Sequence, residues 1–525
     1  MKRVLTIAGV AVLAVLTVGR VRLINALSDQ GYFAKYIIFA DRILSGQMAR
    51  DRLLDLSPLY LWFVVAMRAI GADFHAIRTL QIVLVSVAAL LVGIAARRWG
   101  AIAMIAAPLF LLGSRAALVC ATEVEPETLI LVFNAAALAA LLNFRYSVAG
   151  LFLGLSAVCR PVALLAAGAL SALFRSWRLL AAAAVPVIII VGVNFALTHE
   201  IAVMDPGTVF YEGMNPNAAG YEGVQPRIVN DLERQSQDPD YLHVAYRVVA
   251  SRAAGRPLSR AESNRYWTSK ALAFARTYPI AALRLVGRKV FFALHSYDAY
   301  DLATMARKNV ALAELPFIPF AALVALAAMA MILRVRDIAP VVVFAATTFL
   351  ALIAFYVTAR QRNAMLPAIC ILAAAGLSEI VARRHLGAAI AAAVIGILLS
   401  INGNAQREDA AGWLGARNGF DAAIAMENGG RWQDADAILQ RLEEAGYRPM
   451  RENRAVSSTA YYRARAAIHL RRDPRALLDR AESEAPGNED VLALRAALGD
   501  RRAERLLFEL HDPLTARRAL LAARQ

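Results

Sequence analysis

The residues of this chain best suited to chemistry are carboxylates and arginines at the edges of apolar segments. Asp29 stands just after the first apolar segment, ahead of "QGYFAKYIIFADRIL". A carboxylate at a membrane face can take the proton of an acceptor hydroxyl as a general base, or ligate a divalent metal. It can equally be an exposed loop residue or the N-cap of the following helix, and spacing alone favours this second reading. Glu123, Glu125 and Glu127 sit at i, i+2 and i+4 around Pro126. Carboxylates at a span boundary are costly unless they lie at the interface or face a cavity. The competing reading is a solvated turn, with Glu127 favourably placed at a helix start. Arg160 falls between two apolar half-helices. An arginine there is a functional hypothesis, or it pairs with a backbone carbonyl at the break. Arg360 and Arg362 flank Gln361 just before a late apolar segment. Such guanidiniums hold phosphate or carboxylate in a bidentate fork, or snorkel from a helix end. No P-loop, H-E-x-x-H, G-x-S-x-G or dinucleotide-binding fingerprint is present. Any chemistry therefore rests on carboxylate and arginine.

The elements that must position these groups are membrane helices. The chain has 525 residues, 59% of them hydrophobic and 19% charged, with a mean hydropathy of +0.49. Soluble proteins are roughly 45–50% apolar. Apolar segments cover 4–24, 57–70, 76–96, 101–120, 127–143, 147–174, 179–197, 311–333, 338–358, 363–382 and 386–402. Many of these approach the ~20 residues that cross a bilayer. The start, "MKRVLTIAGVAVLAVLTVGRVRL", has a basic head and an apolar body but ends in Gly19-Arg20-Val21-Arg22. It lacks the small-residue ending of a cleaved signal peptide and reads as a retained first span. The expected fold is an all-α polytopic membrane helix bundle of about 10–13 spans, with an outer loop region and a C-terminal domain of helical hairpins. Residues 1–402 form the membrane domain, including a first outer loop at 25–56 and a large one at 198–310; residues 403–525 form the tail.

Charge orients the bundle. Basic residues between segments (Lys2-Arg3, Arg97-Arg98, Arg145, Arg175, Arg178, Arg334, Arg336 and Arg383-Arg384) can all be cytoplasmic. This requires that 57–70 is not a full crossing and that 147–174 crosses twice, broken at Arg160-Pro161. The loops at 25–56, 120–128 and 198–310, the turn at 359–366 and the tail then share the outer face, the periplasm in a bacterium. The net charge of +16 comes from 57 basic residues of which only five are Lys. They form no basic stripe alternating with aromatics, which argues against a nucleic-acid partner. Cys120, Cys159 and Cys370 lie in or beside apolar runs and make no disulfide framework.

The tail carries "FDAAIAMENGGRWQDADAILQRLEEAGYRP", read as a helix, a Gly-Gly turn and a second amphipathic helix. "AYYRARAAIHLRRDPRALLDRAESEAPGNEDVLALRAAL" reads similarly, with Ala464, Ala467 and Leu470 at helical spacing. The pattern resembles tetratricopeptide (TPR-like) repeats, whose period is about 34 residues. It implies a tail able to dock a partner protein.

The order of motifs over roughly the first 400 residues resembles the GT-C superfamily of integral-membrane glycosyltransferases, close to its family 39 and aminoarabinose-transferase-like members. These motifs are Asp29 with Tyr32 and "FADRILSG", "SPLYLWFVVAMRAIGADFHAIRTLQIV", "EPETLILVFNAAALAALL", "GLFLGLSAVCRPVALL" and "ARQRNAMLPAICILAAAGL". "TVFYEGMNPNAAGYEGVQPR", at 208–227, also resembles an outer-loop segment of such enzymes. The resemblance implies transfer of a sugar from a polyprenyl-phosphate donor to an envelope glycan, lipid or protein acceptor, at the periplasmic face of the inner membrane. It implies Asp29 as catalytic base, with Glu125 or Glu127 at a second acidic position, and Tyr32, Tyr60, Arg160, Arg360 and Arg362 on the substrate. Asp-Glu is common where this chain has Asp29-Gln30, and Arg-Tyr-Arg where it has Arg360-Gln361-Arg362. The first departure weakens a two-carboxylate metal site; no cofactor is assigned, and a divalent metal stays open. Two alternatives stand. One is a ligase or polymerase of the O-antigen type with a diphosphate-linked donor. The other is a non-enzymatic lipid-precursor transporter or envelope scaffold, although no repeat between halves favours a transporter.

Overall fold

A computed structural model describes residues 15–22, 35–49, 52–53, 55–199, 205–221, 223–236, 238, 241–296, 317–400, 411–444 and 458–524. Asp29 and Tyr32 lie outside the described residues. Every regular element among the described residues is helical. The chain forms two compact units. One comprises Met1–Met204 and Val290–Ser400, the other Asp205–Lys289 and Ile401–Gln525. Most of the loop expected at 198–310 thus folds together with the tail.

The first unit is apolar inside and out. Among the described residues, three of its helices are long and apolar enough to cross a membrane: Phe74–Trp99, Trp177–Thr198 and Leu366–Arg383. A fourth candidate is a bent pair, Ala101–Leu112 and Arg115–Thr122, angled by 48°. The sequence reads as one continuous segment there. The bend falls at Gly113-Ser114, where Gly113 O accepts from Ile318 N at 3.0 Å and Ile318 packs against the glycine. The described residues also hold seven shorter apolar helices, including Pro58–Ala69, Glu127–Leu142, Tyr146–Cys159, Ala163–Phe174 and Ala339–Ala354. The break read at Arg160-Pro161 is present, with Arg160 in an extended conformation (φ −148°).

Close helix approach holds this unit together. Gly150 and Gly154, four residues apart, face the Trp177–Thr198 helix; a Cβ on either would collide with the Leu179 or Ala183 carbonyl oxygen. Gly376 meets the Leu326 carbonyl in the same way. Small residues at such spacing let backbones pack where lipid removes the hydrophobic drive between helices. Asp73 caps the Phe74–Ala96 helix by accepting from Ala76 N at 2.8 Å. The outward faces keep large apolar side chains exposed, among them Ile188, Ile189, Leu165, Leu386 and Ile397.

The second unit has an interior of ordinary globular type. Tyr211, Val229, Tyr246, Trp267 and Phe274 from the 205–289 segment share one core with Leu492, Leu507, Leu510 and Leu520 from the tail. Each large side chain sealed there stabilises by about 1.5–3 kcal/mol. Polar contacts add specificity. Asn217 donates to Glu489 at 2.7 Å, Arg227 to Asp490 at 3.0 Å, Tyr278 to Glu482 at 2.5 Å, and Lys270 to the Phe508 and Glu509 carbonyls.

The tail helices pack in chain order. Ala411–Asn428, Trp432–Glu444, Thr459–His469 and Arg475–Glu484 each meet the next. The expected Gly-Gly turn separates the first two, with Gly430 at φ +75°. Ala464 and Ala467 are buried as their spacing predicts. Side-chain caps from Ser458, Asn488 and Asp500 start three of the tail helices.

Candidate functional site

Three interruptions of apolar helices meet inside the first unit. The first is Glu123–Pro126, between Arg115–Thr122 and Glu127–Leu142. The second is Arg160–Val162, between Tyr146–Cys159 and Ala163–Phe174. The third surrounds the single turn Ala359–Arg362, between Ala339–Ala354 and Leu366–Arg383. Non-helical backbone in an apolar unit survives only where protein covers it or it lines a cavity.

Each interruption contributes charge. Arg360 Nη1 donates to Glu125 Oε2 at 2.6 Å, and its Nε lies 3.8 Å from Glu127 Oε1. Arg160 Nη2 pairs with the same Glu127 Oε1. Both glutamates are sealed, at 3% and 2% exposure, while Arg160 and Arg360 keep 24% and 21% of their side chains accessible. Among the described residues these contacts join two carboxylates and two guanidiniums, with the arginine side open. Beside it lies a cavity of about 70 Å³ whose lining includes Arg160, Gln361, Asn134, Ser156 and Tyr356.

A polar buttress holds the carboxylate loop. The Arg115–Thr122 helix ends at this loop and leaves terminal carbonyls that need donors. Gln81 supplies its amide to Ala121 O at 3.0 Å and Glu123 O at 2.6 Å. Arg78 Nε donates to Thr122 O at 2.9 Å, its guanidinium lying 4.2 Å from the Phe74 ring centroid. The fully buried Tyr60 donates its hydroxyl to Gln81 and packs edge-on against Tyr36 at 4.7 Å. On the other side, Asn134 donates to Ala364 O at 2.9 Å, tying the second glutamate helix to the Arg360 turn.

Of the residues singled out from sequence, the structure brings together Glu125, Glu127, Arg160 and Arg360. Tyr60 stands behind them, in the buttress. Arg362 is directed elsewhere: it is sealed at 2% exposure, donates to His295 O at 2.5 Å and lies 4.7 Å from the Phe320 ring. Gln81, Arg78 and Asn134 were missed. Their only sequence signal is polarity inside the apolar runs 76–96 and 127–143.

Among the described residues no group of three or more His, Cys, Asp or Glu is disposed to hold a metal ion. Glu125 and Glu127 face guanidiniums rather than open space, so this donor set does not fit a divalent cation.

The second unit has its own buried polar cluster. Asp205 accepts from Arg260 Nη1 at 2.7 Å and Asn264 Nδ2 at 2.9 Å, with His243 Nδ1 at 3.1 Å. Burial works to raise its carboxyl, but His243, Arg260 and Asn264 outweigh burial and hold it below the usual range. Glu212, bonded by the Tyr246 hydroxyl at 3.0 Å, is pushed up to about 7 by burial. Asn264 also accepts from Gly207 N at 2.8 Å, so the cluster fixes the entry of the chain into this unit. Set against known proteins, the chain matches no family model, no curated protein and no solved structure.

Proposed function

We propose that the chain is a membrane glycosyltransferase that moves a sugar from a polyprenyl-phosphate donor to an envelope acceptor. The observation that carries this reading is the convergence of three helix interruptions on paired carboxylates and arginines inside an otherwise apolar unit. Charge there is expensive and marks function. In the proposed step the acceptor oxygen attacks the anomeric carbon as the bond to the donor phosphate breaks. The acceptor proton passes to a carboxylate, Asp29 in the family-like motif, and the electron pair leaves on the polyprenyl phosphate. One displacement inverts the anomeric centre.

The finer architecture belongs to the same proposal: about 10–13 crossings, a periplasmic active face in a bacterial inner membrane, and a TPR-like tail that docks a partner. The shorter apolar helices, of 10–17 residues, reach about 15–25 Å at 1.5 Å per residue. They cross the ~30 Å hydrocarbon layer only in pairs or where protein and water shorten the path.

The test is transfer in isolated membranes, with radiolabelled polyprenyl-phosphate monosaccharides and wild-type protein beside Asp29→Asn at equal expression. Label reaching an acceptor with wild type alone supports both the class and the base. Label transferred equally by both keeps the class and moves the base to Glu125 or Glu127. Absence of transfer with every such donor overturns the reading as stated.

A further inference from the structure

One helix carries a face that no core covers. Pro279–Leu294 is continuous across the division of the chain, and Val290 is the first of its residues to belong to the first unit. Ala282, Leu285, Lys289, Phe292 and Ala293 are buried, and helical spacing puts them on one side. Ile280, Leu283, Arg284, Arg288 and Phe291 follow the same spacing on the opposite side, and all are exposed. Ile280 and Leu283 reach 67% and 72% exposure. The charge here has one sign. Between Glu262 and Asp298 the sequence has six basic residues and no acidic one. Lys270 donates to the Phe508 and Glu509 carbonyls, and Lys289 is sealed. Arg265, Arg276, Arg284 and Arg288 are exposed, and none of the four pairs with a carboxylate among the described residues. Large apolar side chains flanked by such arginines suit a helix lying in a headgroup layer. There the apolar groups reach the acyl boundary, and the arginine stems carry their charge out to phosphate.

We propose that this face is a docking surface for anionic phospholipid. Two observations commit it to lipid rather than to protein. The uniform positive charge complements an anionic headgroup layer, where each nearby arginine adds about fivefold to partitioning. The helix also runs directly into the apolar unit. Ile280 precedes Val290 by roughly 15 Å of helix, so the face is held close to any bilayer that unit occupies. Ile280, Leu283 and Phe291 enter the boundary between headgroups and acyl chains, while Arg284 and Arg288 meet lipid phosphate oxygens. The surface shares no residue with the Glu125–Arg360 contacts and does not depend on the transferase reading.

The experiment places a spin label on Leu283→Cys in the full-length protein, whose three native cysteines are buried. The protein is held in nanodiscs of phosphatidylcholine alone or of phosphatidylcholine with phosphatidylglycerol. Collisions with oxygen, which concentrates in lipid, are compared with collisions with a water-soluble nickel chelate. Leu498→Cys, exposed on the second unit, is the water-facing control. The label at 283 favours oxygen in the anionic discs, and less so in neutral discs or as salt rises. The label at 498 favours the chelate in both. Arg284→Gln/Arg288→Gln lowers the oxygen preference at 283 in anionic discs by up to about fivefold for each arginine, at an unchanged unfolding temperature. Chelate access at 283 equal to that at 498 in every disc overturns the surface. A label at 283 shielded from both reagents reveals a covering protein, a partner or a second copy, and also overturns it. An oxygen preference equal in both disc types and unmoved by the double variant overturns headgroup recognition.

Discussion

In the unit of Met1–Met204 and Val290–Ser400, Ile188 and Ile189 are 67% and 60% exposed while Glu125 and Glu127 are sealed. In the unit of Asp205–Lys289 and Ile401–Gln525 the order is reversed: Trp267 and Tyr246 are sealed, and ion pairs such as Arg256–Glu262 and Arg431–Asp434 lie at the surface. Apolar exposure on the first unit is what lipid tolerates, so its few buried charges cannot be explained by solvation. Glu125 and Glu127 sit where helices stop and are answered by Arg160 and Arg360, while the buried Arg78 and Arg362 donate to backbone carbonyls. In the second unit buried charge is a local fastening, as at Asp205, amid many charges that water already satisfies. The same chemical group therefore carries different information in the two places.

The largest effect that sharpens this contrast is Arg360→Gln. It leaves Glu125 buried without its guanidinium, and breaking a buried pair this way costs about 3–5 kcal/mol. The expected outcome is a sharp fall in the detergent-solubilised unfolding temperature. A fall no larger than that of a surface substitution would mean that the cluster is solvated and the contrast false.

Next is a matched pair of surface changes. Ile188→Arg puts a charge on the outer face of a candidate span and costs ~2.5–3.5 kcal/mol if that face meets lipid. Leu498→Arg, on the half-exposed surface of the second unit, stays within about 0.5 kcal/mol. Membrane-inserted yield measures both. Equal yields would remove the lipid assignment.

Gly154→Leu forces a side chain into the Ala183 carbonyl. Overpacking of this kind costs about 1–3 kcal/mol, and the expected readout is a lowered unfolding temperature. Gly168→Leu, where a Cβ meets nothing within 4 Å, is the control and leaves it unchanged.

The smallest effect concerns pH and belongs to the second unit. The Glu212 carboxyl is raised from 4.5 to about 7 by burial. The folded state binds that proton more tightly than the unfolded one. Its contribution is fully present below the unfolded value of 4.5 and is lost as pH rises through about 7. Amide protection around Glu212, corrected for intrinsic exchange, should decline over this window and become flat in Glu212→Gln. A wild-type profile as flat as the variant's would show that Glu212 ionises without cost.

Much of this was legible in the chain because apolar runs and their punctuation are local signals. Pro161 after Arg160 announced the break that brings Arg160 to Glu127, and Gly429-Gly430 marked the turn between two tail helices. The bend at Gly113-Ser114 was hidden because both flanking halves are apolar, and no proline sits at the join. The partnership of the 205–289 segment with the tail was hidden for a different reason. Trp267 and Leu507 share a core across more than two hundred residues of chain, and no periodicity encodes that distance. Within the site, the types of Glu125, Glu127, Arg160 and Arg360 were readable, but the divergence of Arg360 and Arg362 was not. Their spacing of two inside a single helical turn sends the side chains to different faces, a consequence of the turn that the motif alone does not display.

The most direct test of the central claim is transfer by the neutral pair Glu125→Gln/Arg360→Gln. Replacing both members removes the unpaired charge that either single change leaves, so the fold should recover most of the stability lost in Arg360→Gln alone. If the cluster is a transfer centre, the double variant unfolds near the wild-type temperature yet moves no labelled sugar from polyprenyl phosphate to acceptor. Wild-type transfer by that stable variant, which keeps only the Arg160–Glu127 pair, would contradict the account and reduce the Glu125–Arg360 contact to a structural ion pair.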